Sequence, residues 1–151
     1  MVYIFRGSPC TVNVYALQCK RCFKWRVVKT LEEYEEIRST FREDPFFCNK
    51  KQGISCDDPC DIEYDNSRTW AVDKPNLPKT PNGLRRNVEV RRDFSGCDVH
   101  YEMPNGERVR SLLEARKFLE SHPEYKSRVS LLDFEFTAPV IMKDTIPGYV
   151  G

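Results

Sequence analysis

The stretch Leu84-Arg85-Arg86-Asn87-Val88-Glu89-Val90-Arg91-Arg92 decides the reading of this chain. Leu84, Val88 and Val90 occupy even positions, while Arg85, Asn87, Glu89 and Arg91 occupy odd ones. Such alternation describes a strand with one buried and one polar face. Downstream, Val99, Tyr101 and Met103 alternate with Asp98, His100 and Glu102, giving a second strand. Pro104-Asn105-Gly106 is turn chemistry, and Glu107 to Arg110 makes a third short strand. Ser111-Leu112-Leu113-Glu114 fits a capping box, in which hydroxyl and carboxylate satisfy exposed amides reciprocally. It opens a helix with Leu112, Ala115, Phe118 and Leu119 on one side, closed by His122-Pro123. Asp133-Phe134-Glu135-Phe136 returns two phenylalanines to the sheet. Three strands followed by a helix predict an α+β module.

Upstream, Pro75-Asn76-Leu77-Pro78-Lys79-Thr80-Pro81-Asn82 carries three prolines and reads as a stiff connector between two modules. In the first module, Thr30-Leu31-Glu32-Glu33 is another capping box. Leu31, Tyr34, Ile37 and Phe41 follow at helical spacing, and Asp44-Pro45 ends the helix. Val12 to Leu17 and Trp25 to Val28 read as strands. So few apolar positions hardly build an independent core, so a staple is expected.

Seven cysteines stand at 10, 19, 22, 48, 56, 60 and 97. An odd number in a reducing compartment argues for metal over a disulfide framework. Cys19-Lys20-Arg21-Cys22 is a CxxC knuckle, and Cys48 and Cys56 follow. Four thiolates make a closed tetrahedral zinc site, which would supply the missing stability. On spacing alone Cys60 competes with Cys56 as the fourth ligand. A redox CxxC needs a βαβ context that does not surround Cys19. Cys10 and Cys97 read as small apolar residues.

The chain of 151 residues balances 24 lysines and arginines against 23 acidic residues, for a net charge of +1. That excludes a grossly basic packaging protein, so any nucleic-acid contact must come from a local patch. With 40% hydrophobic and 31% charged residues, wholesale disorder is excluded too. No apolar run approaches the roughly 18 residues of a membrane span. Met-Val-Tyr-Ile-Phe-Arg-Gly is too short for a signal-peptide core, so an intracellular protein without membrane contact is expected. Neither histidine, His100 nor His122, has a nucleophile beside it, and no residue set meets the geometric roles of a catalytic site, so no enzyme is expected.

Strand parity gathers Arg85, Arg91, Asp98, His100, Arg108 and Arg110 on one polar face. Arginine forks onto guanine O6 and N7 in the major groove. A carboxylate can hold such an arginine in its fork geometry.

Gln18-Cys19-Lys20-Arg21-Cys22-Phe23-Lys24-Trp25-Arg26, Phe46-Phe47-Cys48 and Ile54-Ser55-Cys56-Asp57 together resemble the CW-type zinc finger, over residues 13–64. The resemblance implies Cys19, Cys22, Cys48 and Cys56 as zinc ligands and leaves Cys60 out. Many such fingers read methylated lysine on a histone tail through an aromatic cage, by cation–π attraction. Trp25 matches one cage wall. The other falls on Ala16, with Tyr15 adjacent as its substitute.

Gly83-Leu84-Arg85-Arg86, Arg91, Asp98-Val99-His100-Tyr101, Pro104-Asn105-Gly106, Arg110-Ser111 and Asp133-Phe134-Glu135-Phe136 are similar to the methyl-CpG-binding domain, over residues 70–140. The joint arrangement looks like a plant class of methyl-CpG-binding domain proteins with an N-terminal CW-type zinc finger. The implied fold is α+β: a small zinc finger, then an α/β sandwich of three or four strands and one helix. The resemblance implies DNA contact through Arg91 and Arg110 on guanine, Asp98 orienting, and His100 where the family has a methyl-sensing tyrosine. Leu84 stands in place of a tryptophan, the Arg92–Cys97 loop is short, and Glu89 would repel phosphate. The expectation is a nuclear, non-enzymatic, chromatin-associated DNA-binding protein and transcriptional regulator, with weak or no methyl-CpG selectivity. The alternative is a histone-tail or protein-interaction adaptor in a chromatin complex, with a vestigial DNA face.

Overall fold

The computed structural model describes residues 1–5 and 12–149, so Cys10 lies outside the described residues. In chain order the strands and helices are β1 (Val2–Phe5), β2 (Val12–Gln18), β3 (Trp25–Val28), α1 (Leu31–Ser39), β4 (Thr69–Val72), β5 (Arg85–Val90), β6 (Cys97–Glu102), β7 (Arg108–Val109), α2 (Leu112–Ser121) and β8 (Val140–Ile141). One antiparallel sheet runs β3-β2-β1-β4-β8, and a second runs β5-β6-β7. The expected α+β class, β2, β3, both helices and the three-stranded sheet are all present.

The first sheet draws β4 and β8 from beyond the cysteine-bearing segment. Its middle strand, β1, is buried at every position, so it reads as an unbroken apolar run without alternation. Tyr3, Phe5, Leu17, Val28 and Ala71 share one core with Val88, Val90, Tyr101, Phe118 and Phe134 of the other sheet and its helix. Val2, Ile4, Ala16 and Trp70 form a smaller cluster, packed by Val14, Trp25, Ile62 and Met142. The small module's missing core is therefore provided by the neighbouring segment, in addition to any metal.

Charge is buried at the junction. Arg38 and Arg86 are almost completely buried. The Tyr3 hydroxyl accepts from Arg38 Nη1 at 2.9 Å and from Arg86 Nη1 at 3.1 Å. Arg38 Nη1 also donates to Asp73 Oδ2 at 3.1 Å, and the Tyr34 hydroxyl donates to the same oxygen at 3.1 Å. Arg86 Nε and Nη2 donate to Glu135 O and Thr137 O, each at 3.1 Å. The proline-rich connector is docked on α1. Leu77 is buried, Arg38 Nη2 donates to Pro78 O, and Glu35 accepts from the amide and hydroxyl of Thr80. Asn76, at φ 62°, donates to both carboxylate oxygens of Glu43. The left-handed conformation suits asparagine better than most residues.

Only the hydroxyl half of each expected capping box forms. Thr30 accepts from Glu33 N and Ser111 from Glu114 N, each at 3.1 Å. The Glu114 carboxylate takes the Arg110 amide instead. On α2, Ala115, Phe118 and Leu119 are buried as expected, but Leu112 is 54% exposed. Tyr101 receives Phe134 and Phe136 edge-on, at centroid distances of 4.9 and 5.2 Å.

Removing the anion at the junction tests its weight. Asp73→Ala strands the buried Arg38 guanidinium, and breaking such a pair costs about 3–5 kcal/mol. Urea unfolding followed by tryptophan fluorescence and by circular dichroism should show one transition in each variant, with a loss of that size. A change within about 0.5 kcal/mol, the usual effect of a surface substitution, would show that the pair is not structural.

Candidate metal centre and nucleic-acid interface

Cys19 follows directly on β2, Cys22 closes the knuckle turn, Cys48 opens a single helical turn, and Cys56 lies in the loop beyond. The turn closes through Phe23 N donating to Cys19 O at 2.9 Å, with Phe23 at φ 63°. The four Sγ atoms lie within 4.8 Å of one another. Cys19 and Cys56 Sγ are 3.8 Å apart, and Cys22 and Cys48 Sγ 3.5 Å. A tetrahedron with metal–sulfur bonds near 2.3 Å has an edge of about 3.8 Å, so the four sulfurs fit a tetrathiolate ion site. Cys56 stands at the fourth corner of the cluster, and Cys60 is absent from it.

Arg26 is the residue that sequence reading missed. Its side chain is fully buried, and Nε donates to Cys48 Sγ at 3.2 Å. Nη2 donates to the Ser55 and Asp58 carbonyls, each at 3.0 Å, and Nη1 donates to Pro59 O and the Asp61 carboxylate. One guanidinium thus fixes the loop that carries Cys56 and places positive charge beside the sulfur cluster. Such second-layer donors orient ligands and stabilise thiolates. Asp61 also takes Lys51 and the Val27 amide. Its carboxyl sits below the usual range because these donors outweigh the opposing effect of burial. The carboxylates of Asp58 and Asp61 are therefore spent within the chain.

Tyr15 and Trp25 are not brought together. In the β2–β3 register Gln18 faces Trp25 and Tyr15 faces Val28, so successive residues put Tyr15 and Trp25 on opposite sides of the sheet. Tyr15 packs against Tyr3 and Tyr34, with centroids 5.9 and 5.5 Å away. Trp25 meets Trp70 edge-on at 5.1 Å, and Tyr64 covers Trp70 at 4.9 Å.

The arginine face is assembled as parity requires. The register pairs Asn87 with His100, Glu89 with Asp98 and Glu102 with Arg108. Arg91 Nη2 donates to Asp98 Oδ1 at 2.9 Å, and Nε lies 3.2 Å from Oδ2. Both side chains are more than half exposed, so the fork is presented to solvent. The carboxyl of Asp98 is held below its ordinary value by the Arg91 hydrogen bonds. Gly96 leaves room for this fork: a Cβ there would lie 3.4 Å from Arg91 Nη1. The short loop folds back tightly, with Phe94 at φ 59° and its amide on Arg91 O at 2.8 Å. Arg110 stands exposed between β7 and α2, and its guanidinium makes no hydrogen bond or ion pair among the described residues. Glu89, Arg91, Asp98, His100, Arg108 and Arg110 line one concavity of about 550 Å³. His100 is only 7% exposed. Burial lowers its pKa, Arg108 and Arg110 act in the same direction, and Glu89 and Glu102 oppose them. Cys97 is buried as a small apolar residue, as expected.

The description CW-type Zinc Finger matches residues 15–62, and Methyl-CpG binding domain matches residues 70–144. These are binding domains, not enzyme families. Methyl-CpG-binding domain-containing protein 4 of Arabidopsis thaliana is 52% identical over 136 residues, covering 90% of this chain and 73% of the relative. Methyl-CpG-binding domain-containing protein 1 of the same organism is 46% identical over 143 residues, covering 94% and 70%. Methyl-CpG-binding domain-containing protein 3 is 36% identical over 137 residues, covering 87% and 80%. No solved structure matches the chain. No described helix is long and apolar enough to cross a membrane.

The lowered pKa of His100 makes a signed prediction. A depressed folded-state pKa means that the neutral imidazole contributes stability above the unfolded value of about 6.5. That contribution falls as pH drops through the folded pKa. Urea midpoints taken between about pH 7.5 and 5 should therefore decline less steeply in His100→Asn than in the unmutated protein. Equal slopes would show that His100 titrates as a solvated residue.

Proposed function

Since the chain belongs to the methyl-CpG-binding domain-containing proteins and carries a CW-type finger in front, we propose that it is a nuclear, chromatin-associated DNA-binding protein that regulates transcription by recruitment rather than by catalysis. The observation that carries this reading is the solvent-facing Arg91–Asp98 fork, set in one concavity with Arg110. In the major groove Arg91 and Arg110 each take guanine O6 and N7. Asp98 holds the Arg91 guanidinium planar and aimed, which limits the entropy lost on binding.

Selectivity for the cytosine 5-methyl group is weak on this reading. The residue in the methyl-sensing position is His100, which is withdrawn into the sheet. The Arg92–Cys97 loop folds on itself and supplies few phosphate contacts. The four-cysteine cluster holds zinc through Cys19, Cys22, Cys48 and Cys56, and the ion's chemistry is that of a structural cross-link.

The second reading, a histone-tail or protein-interaction adaptor, is favoured by a different feature. Phe23 is 67% exposed beside a cavity of about 480 Å³ that Gln18, Lys20, Phe41, Arg42 and Pro45 also line. Salt dependence separates the two readings. Phosphate neutralisation releases counterions, so DNA affinity must fall steeply with added salt.

Two outcomes are expected. Native mass spectrometry should show one zinc ion per chain, and Cys48→Ala should lose both the ion and the finger's circular dichroism signature, since metal binding and folding are coupled. Retention of that signature without metal would count against the site. In gel-shift titrations at fixed salt, Arg91→Ala and Arg110→Ala should each weaken CpG binding by about tenfold or more, within the discrimination that one bidentate pair provides. Methylated and unmethylated duplexes should differ by less than about tenfold, or 1.4 kcal/mol.

A further inference from the structure

Glu89 is a carboxylate on a face that also carries Arg91, Arg108 and Arg110, and Asp98 is the other carboxylate there. Glu89 is exposed on β5, directly opposite Asp98 in register and two residues before Arg91. It lines the same concavity as Arg91, His100, Arg108 and Arg110. Asp98 is consumed by Arg91. The Glu89 carboxylate has neither ion pair nor hydrogen bond among the described residues, although three arginines share its concavity. A strand places residues i and i+2 on one face about 6–7 Å apart. Successive bases on a DNA strand are separated by about 3.4 Å. The strand spacing is about two base steps at most, so a side chain beside a guanine-reading arginine can reach a base within about two steps of that guanine.

We propose that Glu89 is a specificity-determining residue that accepts a hydrogen bond from the cytosine N4 amine in the major groove. The chemistry is selective. Cytosine offers an N4 donor, whereas thymine offers an O4 acceptor that a carboxylate repels. Arg91 supplies donors to guanine O6 and N7, and Glu89 supplies the acceptor that a cytosine requires. Cytosine carries its N4 donor whether or not its C5 bears a methyl group, so this contact selects the base and ignores the mark. The inference rests on the DNA-reading function proposed above and deepens it: the ligand is the cytosine–guanine step itself, distinguished from its thymine-containing deamination product. The repulsion of Glu89 from phosphate remains, so the same side chain lowers affinity while raising selectivity.

The test uses the full chain and fluorescence-anisotropy titration at fixed salt. One duplex carries a central CpG. Its counterpart has 2-pyrimidinone in place of both cytosines, which removes the N4 amine and leaves guanine O6 and N7 in place. The unmutated protein should prefer the natural duplex by about tenfold, within the usual cost of a mismatched site. Glu89→Gln keeps an acceptor and loses the charge, so it should bind both duplexes more tightly and keep the preference. Glu89→Ala should bind both more tightly and lose it. Equal affinities in the unmutated protein, or a preference that survives in Glu89→Ala, would overturn the assignment and leave Glu89 as a repelling charge only. Failure of the DNA-reading function itself looks different: no duplex is bound, or binding is indifferent to Arg91→Ala, and the Glu89 assignment falls with it.

Discussion

The hydroxyl of Tyr3 accepts from two buried guanidiniums, Arg38 on α1 and Arg86 on β5, and much of the molecule is arranged around that meeting. A buried cation is tolerable only when most of its donors are met and an anion is near. Both Nη atoms of Arg38 are met, and its Nε is left without a partner among the described residues. Asp73 supplies the anion and Tyr34 helps to hold it. The carbonyls of Glu135 and Thr137 meet the remaining donors of Arg86. The groups involved come from β1, α1, β5, the residues following β4 and the segment after α2. None of these segments can shift without stranding charge. The metal cluster and the arginine concavity are thereby fixed relative to each other, and the proline-rich connector is part of the joint, not a flexible tether.

Arg26 repeats the device at smaller scale. It occupies an interior place in β3 and gathers the loop from Ser55 to Asp61 by its carbonyls while donating to Cys48 Sγ. The order of events is physical. Four thiolates would repel one another, a divalent ion would offset that repulsion, and the guanidinium would offset part of what is left. The concavity lined by Arg91 and Arg110 uses arginine in the opposite manner. There Arg91 is exposed and held by one carboxylate, so its fork stays available.

The sequence was most legible where a single periodicity governs. Val88, Val90, Val99, Tyr101 and Met103 alternate cleanly because β5 and β6 bury one face, and the register follows from that. The four clustered cysteines were readable because a tetrathiolate site would leave a spacing in the chain. β1 was not readable, since two-sided burial erases alternation, and β4 and β8 are too short to show a pattern. The buried arginines were missed because composition treats arginine as surface. A signal was present: Arg86 shares parity with Val88 and Val90, and Arg26 with Val28. An arginine at an apolar place in a strand marks a buried ionic joint. The pairing of Tyr15 with Trp25 failed for the matching reason, since odd separations from the facing partner put the two rings on different sides.

The interleaving of the first sheet carries a consequence for how the molecule is made. β1 and β2 pair early, but β1 waits for β4 about 65 residues later, and β4 waits for β8 about 70 residues after that. Such distant pairings are slow, and an unpaired strand edge is a template for wrong partners. During synthesis the edge of β1 stands open while the cysteine-bearing loop is being completed. That loop lies wholly between β2 and β4, so its ion can bind before β4 arrives. Metal capture at that stage would rigidify the β2–β3 ribbon at the time when its neighbour's edge is exposed. An ion bound there would act as a chaperone in time, shortening the period in which the open edge is available to wrong partners.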